Sequence, residues 1–135
     1  GNLMKLIVLS AILVLMGSMA AAHNAKVFFI EPKNNAVVGP TFKVKMGLKG
    51  MIVCEANIET KDKKCGHHHI IIDGKFVPAG QPVAKDETHI HYGKKQTETE
   101  LTLSPGKHSL TLQFADFAHL SYGEKFSETI TVEVK

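Results

Sequence analysis

Residues 41–48, TFKVKMGL, alternate without a break: Phe42, Val44, Met46 and Leu48 fall on one side, Lys43, Lys45 and Gly47 on the other. A period of two belongs to an extended strand with one buried face. The same period recurs in TETELTL (97–103), in KHSLTLQFAD (107–116), where Leu110, Leu112 and Phe114 share a face, and in KFSETITVEVK (125–135). Three further stretches read as strands: AKVFFI (25–30), HHHIIID (67–73) and THIHY (88–92). Turn chemistry separates them. EPKNNAVVGP (31–40), GKKQ and SPG break the chain, DGKF (73–76) reads as a tight hairpin turn, and VPAGQPVAKDE and FAHLSYGE read as loops. No stretch carries a helical period. About seven short strands at this spacing predict an all-β chain, an antiparallel immunoglobulin-like β-sandwich.

The first twenty-two residues are of another kind. Lys5 supplies a positive start, LIVLSAILVLM from Leu6 to Met16 an apolar run, and GSMAAA small residues with Ala20 and Ala22 in an A-x-A arrangement. That is the pattern of a secretory signal peptide over 1–22. The three residues ahead of Met4 read as a cloning remnant or an upstream start. The rival reading, an uncleaved anchor, meets a run shorter than the roughly 20 residues a bilayer requires. Cleavage after Ala22 makes His23 the mature N-terminus, leaves one β-sandwich domain over 23–135, and implies a periplasmic or secreted protein without stable membrane insertion. In an oxidising compartment Cys54 and Cys65, the two cysteines of the chain, are expected to form a disulfide. A thiolate metal site that also uses the neighbouring histidines is the alternative.

Charge and composition remove several functions. The net charge is +3 and all sixteen basic residues are Lys, so nucleic-acid recognition through Arg forks is not expected. Tryptophan is absent, which weakens stacking on sugars or single-stranded bases. There is no G-x-S-x-G elbow and no phosphate-cradling glycine loop. An enzyme is therefore the less favoured class.

The histidines carry the functional signal. Five of the eight fall in two clusters. By strand parity His67 and His69 share a face with Ile71, and His68 points the other way with Ile70 and Ile72. His89 and His91 share a face, opposite Ile90 and Tyr92. An H-x-H on a strand sets two imidazoles about 7 Å apart at the Cα level, within reach of one ion. His67, His69, His89 and His91 are thus the candidate metal ligands, with copper or zinc the expected ion. His68, His119, His108 and His23 rank below them. His119 lies in a loop that could fold back over the cluster. His108 shares a face with Leu110, Leu112 and Phe114 and reads first as a hydrogen-bonded corner residue. A mature His23 could chelate copper through its amine and ring. Met46 and Met51 could add a thioether, although core filling suits Met46 better. The competing reading is a structural polar network, for which Asp73, Asp86 and Asp116 are available partners.

At VFFIEPKNNAVV, GHHHIIID, THIHYGKKQTETELTLSPGKHSLTL and SETITVEVK the chain resembles a family of secreted bacterial proteins, domain-of-unknown-function family 4399. The resemblance runs from about Lys26 to Lys135. It implies an exported all-β domain, and the family's histidines fall on His67, His68, His69, His89, His91, His108 and His119. Many relatives carry a second histidine shortly after the position of His119, where this chain has Leu120, Ser121 and Tyr122. The cysteine pair is a second departure, read as a local staple. Three functions are consistent with these residues. The first is a periplasmic transition-metal-binding protein acting as carrier, buffer or sensor. The second is an envelope binding or assembly module with structural histidines. The third is a metalloenzyme, since HIHYG is locally similar to copper-zinc superoxide dismutases, although no zinc loop or guiding Arg accompanies it.

Overall fold

The computed structural model describes residues 24–61 and 64–135. The expected signal peptide and His23 lie outside the described residues. Nine strands form among them: β1 (Lys26–Glu31), β2 (Ala36–Val38), β3 (Thr41–Lys49), β4 (Ile52–Val53), β5 (Cys65–Ile72), β6 (His89–Tyr92), β7 (Glu98–Thr102), β8 (Gly106–Ala115) and β9 (Ser127–Val134), with a 3-10 turn at Glu124–Phe126. The seven expected stretches each overlap one of them. The other two, β2 and β4, arise outside them, β2 in the turn segment 31–40 and β4 between the stretches 41–48 and 67–73.

Two sheets face one another in an all-β, sandwich-like fold. One has the order β1-β3-β7; the other runs β2-β9-β8-β5-β4, with β6 on β5. Most pairings are antiparallel, while β2 on β9 and β4 on β5 are parallel. The core lies between the sheets. Val27, Phe29, Phe42, Val44, Met46 and Leu101 come from the smaller sheet; Ile70, Ile72, Tyr92, Leu110, Leu112, Phe114, Ile130, Val132 and Val134 from the larger. Side chains of this kind each contribute roughly 1.5–3 kcal/mol when fully buried. The alternating residues of TFKVKMGL that read as inward are the ones that face the core.

β5 is the exception to alternation, because all eight of its residues are buried. Its inner face, His68, Ile70 and Ile72, meets the core. Its outer face, His67, His69 and Ile71, is roofed by two connections. Gln113 on β8 ties the roof down: its Oε1 accepts from the Val77 amide at 2.9 Å, and its Nε2 donates to the Gly123 carbonyl at 3.0 Å. Residues 77–83 then run against 119–121, through the Val83 amide to the His119 carbonyl at 2.9 Å and the Ser121 amide to the Gln81 carbonyl at 2.8 Å.

The expected hairpin at DGKF does not form. β5 and β6 do pair antiparallel, but through the whole of 73–88, which is spent on the roof. Asp73 adopts the left-handed region, φ 56°. Its carboxylate accepts from the Ser109 amide at 3.0 Å and pairs with His108 Nδ1 at 2.8 Å. That interaction turns the chain away from β6.

Cys54 and Cys65 form the expected disulfide, across eleven positions. It anchors the connection after β4 to the first residue of β5. No helix among the described residues is long and apolar enough to cross a membrane.

Candidate metal centre

The register of β5 against its neighbours assembles the histidines. His69 stands opposite His91 on β6 and opposite Gln113 on β8, and His67 stands opposite Ala115. Parity sends His67, His69 and His91 to the same outer face. His119 arrives from the roof. Its backbone is left-handed, φ 64°, within a turn that the Asp116 carboxylate holds by accepting from the Ala118 and Leu120 amides, each at 2.9 Å.

Four imidazoles therefore meet. The His67 ring centroid lies 4.5 Å from that of His69, 5.4 Å from His91 and 4.9 Å from His119. His91 and His119 are 4.9 Å apart. Three of the residues, His67, His91 and His119, each offer a nitrogen within 4.8 Å of the others. His69 lies against this group, with its ring 5.7 Å from His91 and 5.9 Å from His119.

Hydrogen bonds order two of the rings. His67 Nε2 and His119 Nδ1 are 3.2 Å apart, and His119 Nε2 is 3.2 Å from Asn57 Oδ1. The amide oxygen only accepts, so His119 carries its proton on Nε2 and keeps a lone pair on Nδ1. That lone pair points at His67.

Burial keeps His67, His69 and His91 neutral. Loss of water pushes the His67 imidazole down to about 4, helped by the neighbouring His119, His91 and His68. His69 is pushed down to about 3, first by burial and then by His67, His91 and His119. His91 is also lowered, by burial, then by His119 and the Lys85 ammonium. Neutral imidazole is the form that binds a metal.

The other expected ligands take different places. His68 lies in the core with its ring 5.1 Å from Phe114, and burial lowers it to about 4. His89 has the same parity as His91, but it stands opposite Ile71 and its Nδ1 pairs with Asp86 at 2.8 Å. His108 is the corner residue: besides Asp73, its Nε2 is 2.8 Å from the Ser104 carbonyl. The Asp73 hydrogen bond raises the His108 imidazole above its ordinary value. Met46 is core, and Met51 packs against the core, so neither brings sulfur to the cluster.

The donor set fits a transition ion. Two nitrogens on one tetrahedral Zn(II) lie about 3.4 Å apart, given Zn–N bonds of about 2.0–2.1 Å. His67 Nε2 and His119 Nδ1 already stand at 3.2 Å. Drawing all three nitrogens of the group in from 4.8 Å takes at most about 1.4 Å, a matter of ring rotation. In addition, His67 Nδ1 and both nitrogens of His68 are buried without a hydrogen-bond partner among the described residues, and His69 has at most a weak contact with the Gln113 backbone. Each such group costs about 1–3 kcal/mol.

Two further residues shape the cluster, and neither was singled out as a site residue. Asn57 orients His119 from 62 positions away, a contact without a local signature. Gly93 follows β6, and a Cβ there would sit 2.6 Å from His91 Nε2 and 2.7 Å from the Ala56 Cβ. Its nearness to HIHY was visible; the crowding was not.

Comparison with known proteins adds a family. A family model described as Domain of unknown function (DUF4399) matches residues 44–135. No curated protein matches. Among solved structures, the X-ray structure of the endo-beta-1,4-mannanase from Thermotoga petrophila is similar over 83% of this chain and 20% of that one, with 12% identity and a TM-score of 0.48. The chain thus spans about a fifth of that protein's length, and a likeness at this level carries no inference.

Proposed function

The chain belongs to the DUF4399 family, and from that premise we propose that it binds one transition-metal ion, copper or zinc, in the periplasm or outside the cell. His67, His91 and His119 are the ligands, and the His69 ring lies against them outside that set. Carrier, buffer or sensor is the role that suits a site built from clustered imidazoles. The observation that carries the reading is the approach of three imidazole nitrogens to within 4.8 Å of one another, with buried lone pairs to spare. An all-imidazole set suits Cu(II) and Zn(II). Export is supported by the Cys54–Cys65 disulfide, a bond favoured in oxidising compartments.

The second reading, an envelope binding module with structural histidines, draws on the pairs His89–Asp86 and His108–Asp73. It accounts for those two residues. It gives no role to the approach of His67, His91 and His119.

The test is titration of the tag-free protein with Zn(II) and Cu(II). One equivalent should bind tightly, and His91→Ala should weaken it at least tenfold. Binding unchanged in His91→Ala, or no stoichiometric binding, overturns the proposal. A superoxide assay on the copper-loaded protein separates carrier from metalloenzyme.

A further inference from the structure

We propose that the depression beside His91 receives a small dicarboxylate, one end of which takes the coordination position that the three histidines leave open. The inference rests on the metal reading above and names the ligand class that reading would use.

Three protein nitrogens do not complete a tetrahedral ion. In zinc sites with three protein ligands, the fourth position is taken by water or a substrate. Where that position faces is set by the walls. His67 and His69 are fully buried, with the sheet beneath them. His91 and His119 are half-buried. A depression of ≈ 460 Å³ opens beside His91, with Glu55, Asn57, Lys85, His91, Gly93 and Lys94 in its walls. His91 belongs to both the cluster and the depression. Asn57 is the second link, since it lines the depression and holds His119.

The lining suits an anion. Lys85, Lys94 and Glu55 are the charged residues of the lining, leaving one positive charge in excess. A metal ion adds its own charge at the floor. Carboxylate oxygen is a good ligand for zinc and copper, and the volume is that of small-molecule sites. It has room for a second carboxylate facing the lysines. Glycine at 93 preserves the space, since a Cβ there would press on both His91 and Ala56.

Succinate is the probe. The Cu(II) titration is run first without it, so that a failure of metal binding overturns both proposals and is seen separately. With copper bound, succinate should shift the visible and paramagnetic-resonance spectra at one equivalent, and acetate should bind at least tenfold more weakly. The double variant Lys85→Gln/Lys94→Gln should keep its copper affinity and lose at least tenfold in succinate affinity. Copper loading with spectra that succinate does not move overturns the inference alone. So does a double variant that binds succinate as well as the parent, and so does removal of copper from the protein by succinate.

Discussion

His67 Nε2 and His119 Nδ1, on residues 52 positions apart, stand 3.2 Å from each other. A proton shared between them occupies the place where a metal would bind both. Replacing His119 by Ala removes one ligand and leaves the sheet intact. The expected loss in Zn(II) affinity is at least a hundredfold. His89→Ala should leave affinity within threefold, because its ring is held by Asp86. Competition titration against a chelator of known affinity reads both.

Asn57 acts on the metal only through His119. Partners of this kind usually contribute 10–100-fold in affinity. Asn57→Ala should weaken metal binding about tenfold, and Asn57→Asp, which restores an acceptor with added charge, should recover it. Nitrogen NMR should show His119 protonated on Nε2 in the parent and a mixture of tautomers in Asn57→Ala. An unchanged tautomer would remove the positioning role.

Stability should fall in acid. His67 and His68 are lowered to about 4 and His69 to about 3, while the unfolded chain takes up a proton near 6.5 on each. Between those values the unfolded state binds more protons. Stability is therefore fully present above pH 6.5 and is lost as pH falls toward 4. The slope is shallow near pH 7 and steepens below pH 6, where the unfolded histidines are protonated, and urea unfolding at pH 7, 6 and 5 reads it. His68→Leu should lower the acid midpoint and raise neutral-pH stability by about 1 kcal/mol, with metal affinity unchanged.

His108 runs the other way. Its hydrogen bond to Asp73 raises its imidazole, so the pair stabilises most below pH 6.5 and fades as pH rises through the raised value. Asp73 is half exposed, which leaves roughly 1 kcal/mol after solvent screening. Asp73→Ala should cost about that much more at pH 6 than at pH 9. An equal cost at the two pH values would show that the Ser109 amide, and not His108, is what Asp73 serves.

Gly66 opens the histidine strand under close confinement. A Cβ there would collide with the Ala115 carbonyl and stand 2.7 Å from the Phe114 ring. Backbone cannot step aside as a side chain can. Gly66→Ala should cost about 3 kcal/mol or more, visible as a fall in thermal midpoint, whereas Gly39→Ala, with nothing near it, should cost under about 1 kcal/mol.

How legible all this was depends on distance along the chain. Strands such as TFKVKMGL declare themselves, because one face is apolar and the other is not. β2 and β4 do not: they are three and two residues long and exist through parallel pairing with β9 and β5. The hairpin at DGKF was read from local turn chemistry, which Asp73 overrides by bonding to β8. In the site, parity alone brings His67, His69 and His91 to one face. It brings His89 there too, and misses that Asp86, three residues before it, captures the ring. His119 reaches the cluster through a roof whose path no local pattern reveals, and Asn57 through a connection tied by the disulfide.

The three consecutive histidines are two environments. The middle one is a wedge in the oil between the sheets, and its neighbours form the floor of a polar chamber on the far side of the same ribbon. Treating HHH as one motif would therefore confuse two experiments. Removing all three at once opens a void under Phe114 and strips the chamber in a single stroke, and an inactive, unstable product would report on neither. Only changes made one at a time can tell the carpenter's work from the chemist's.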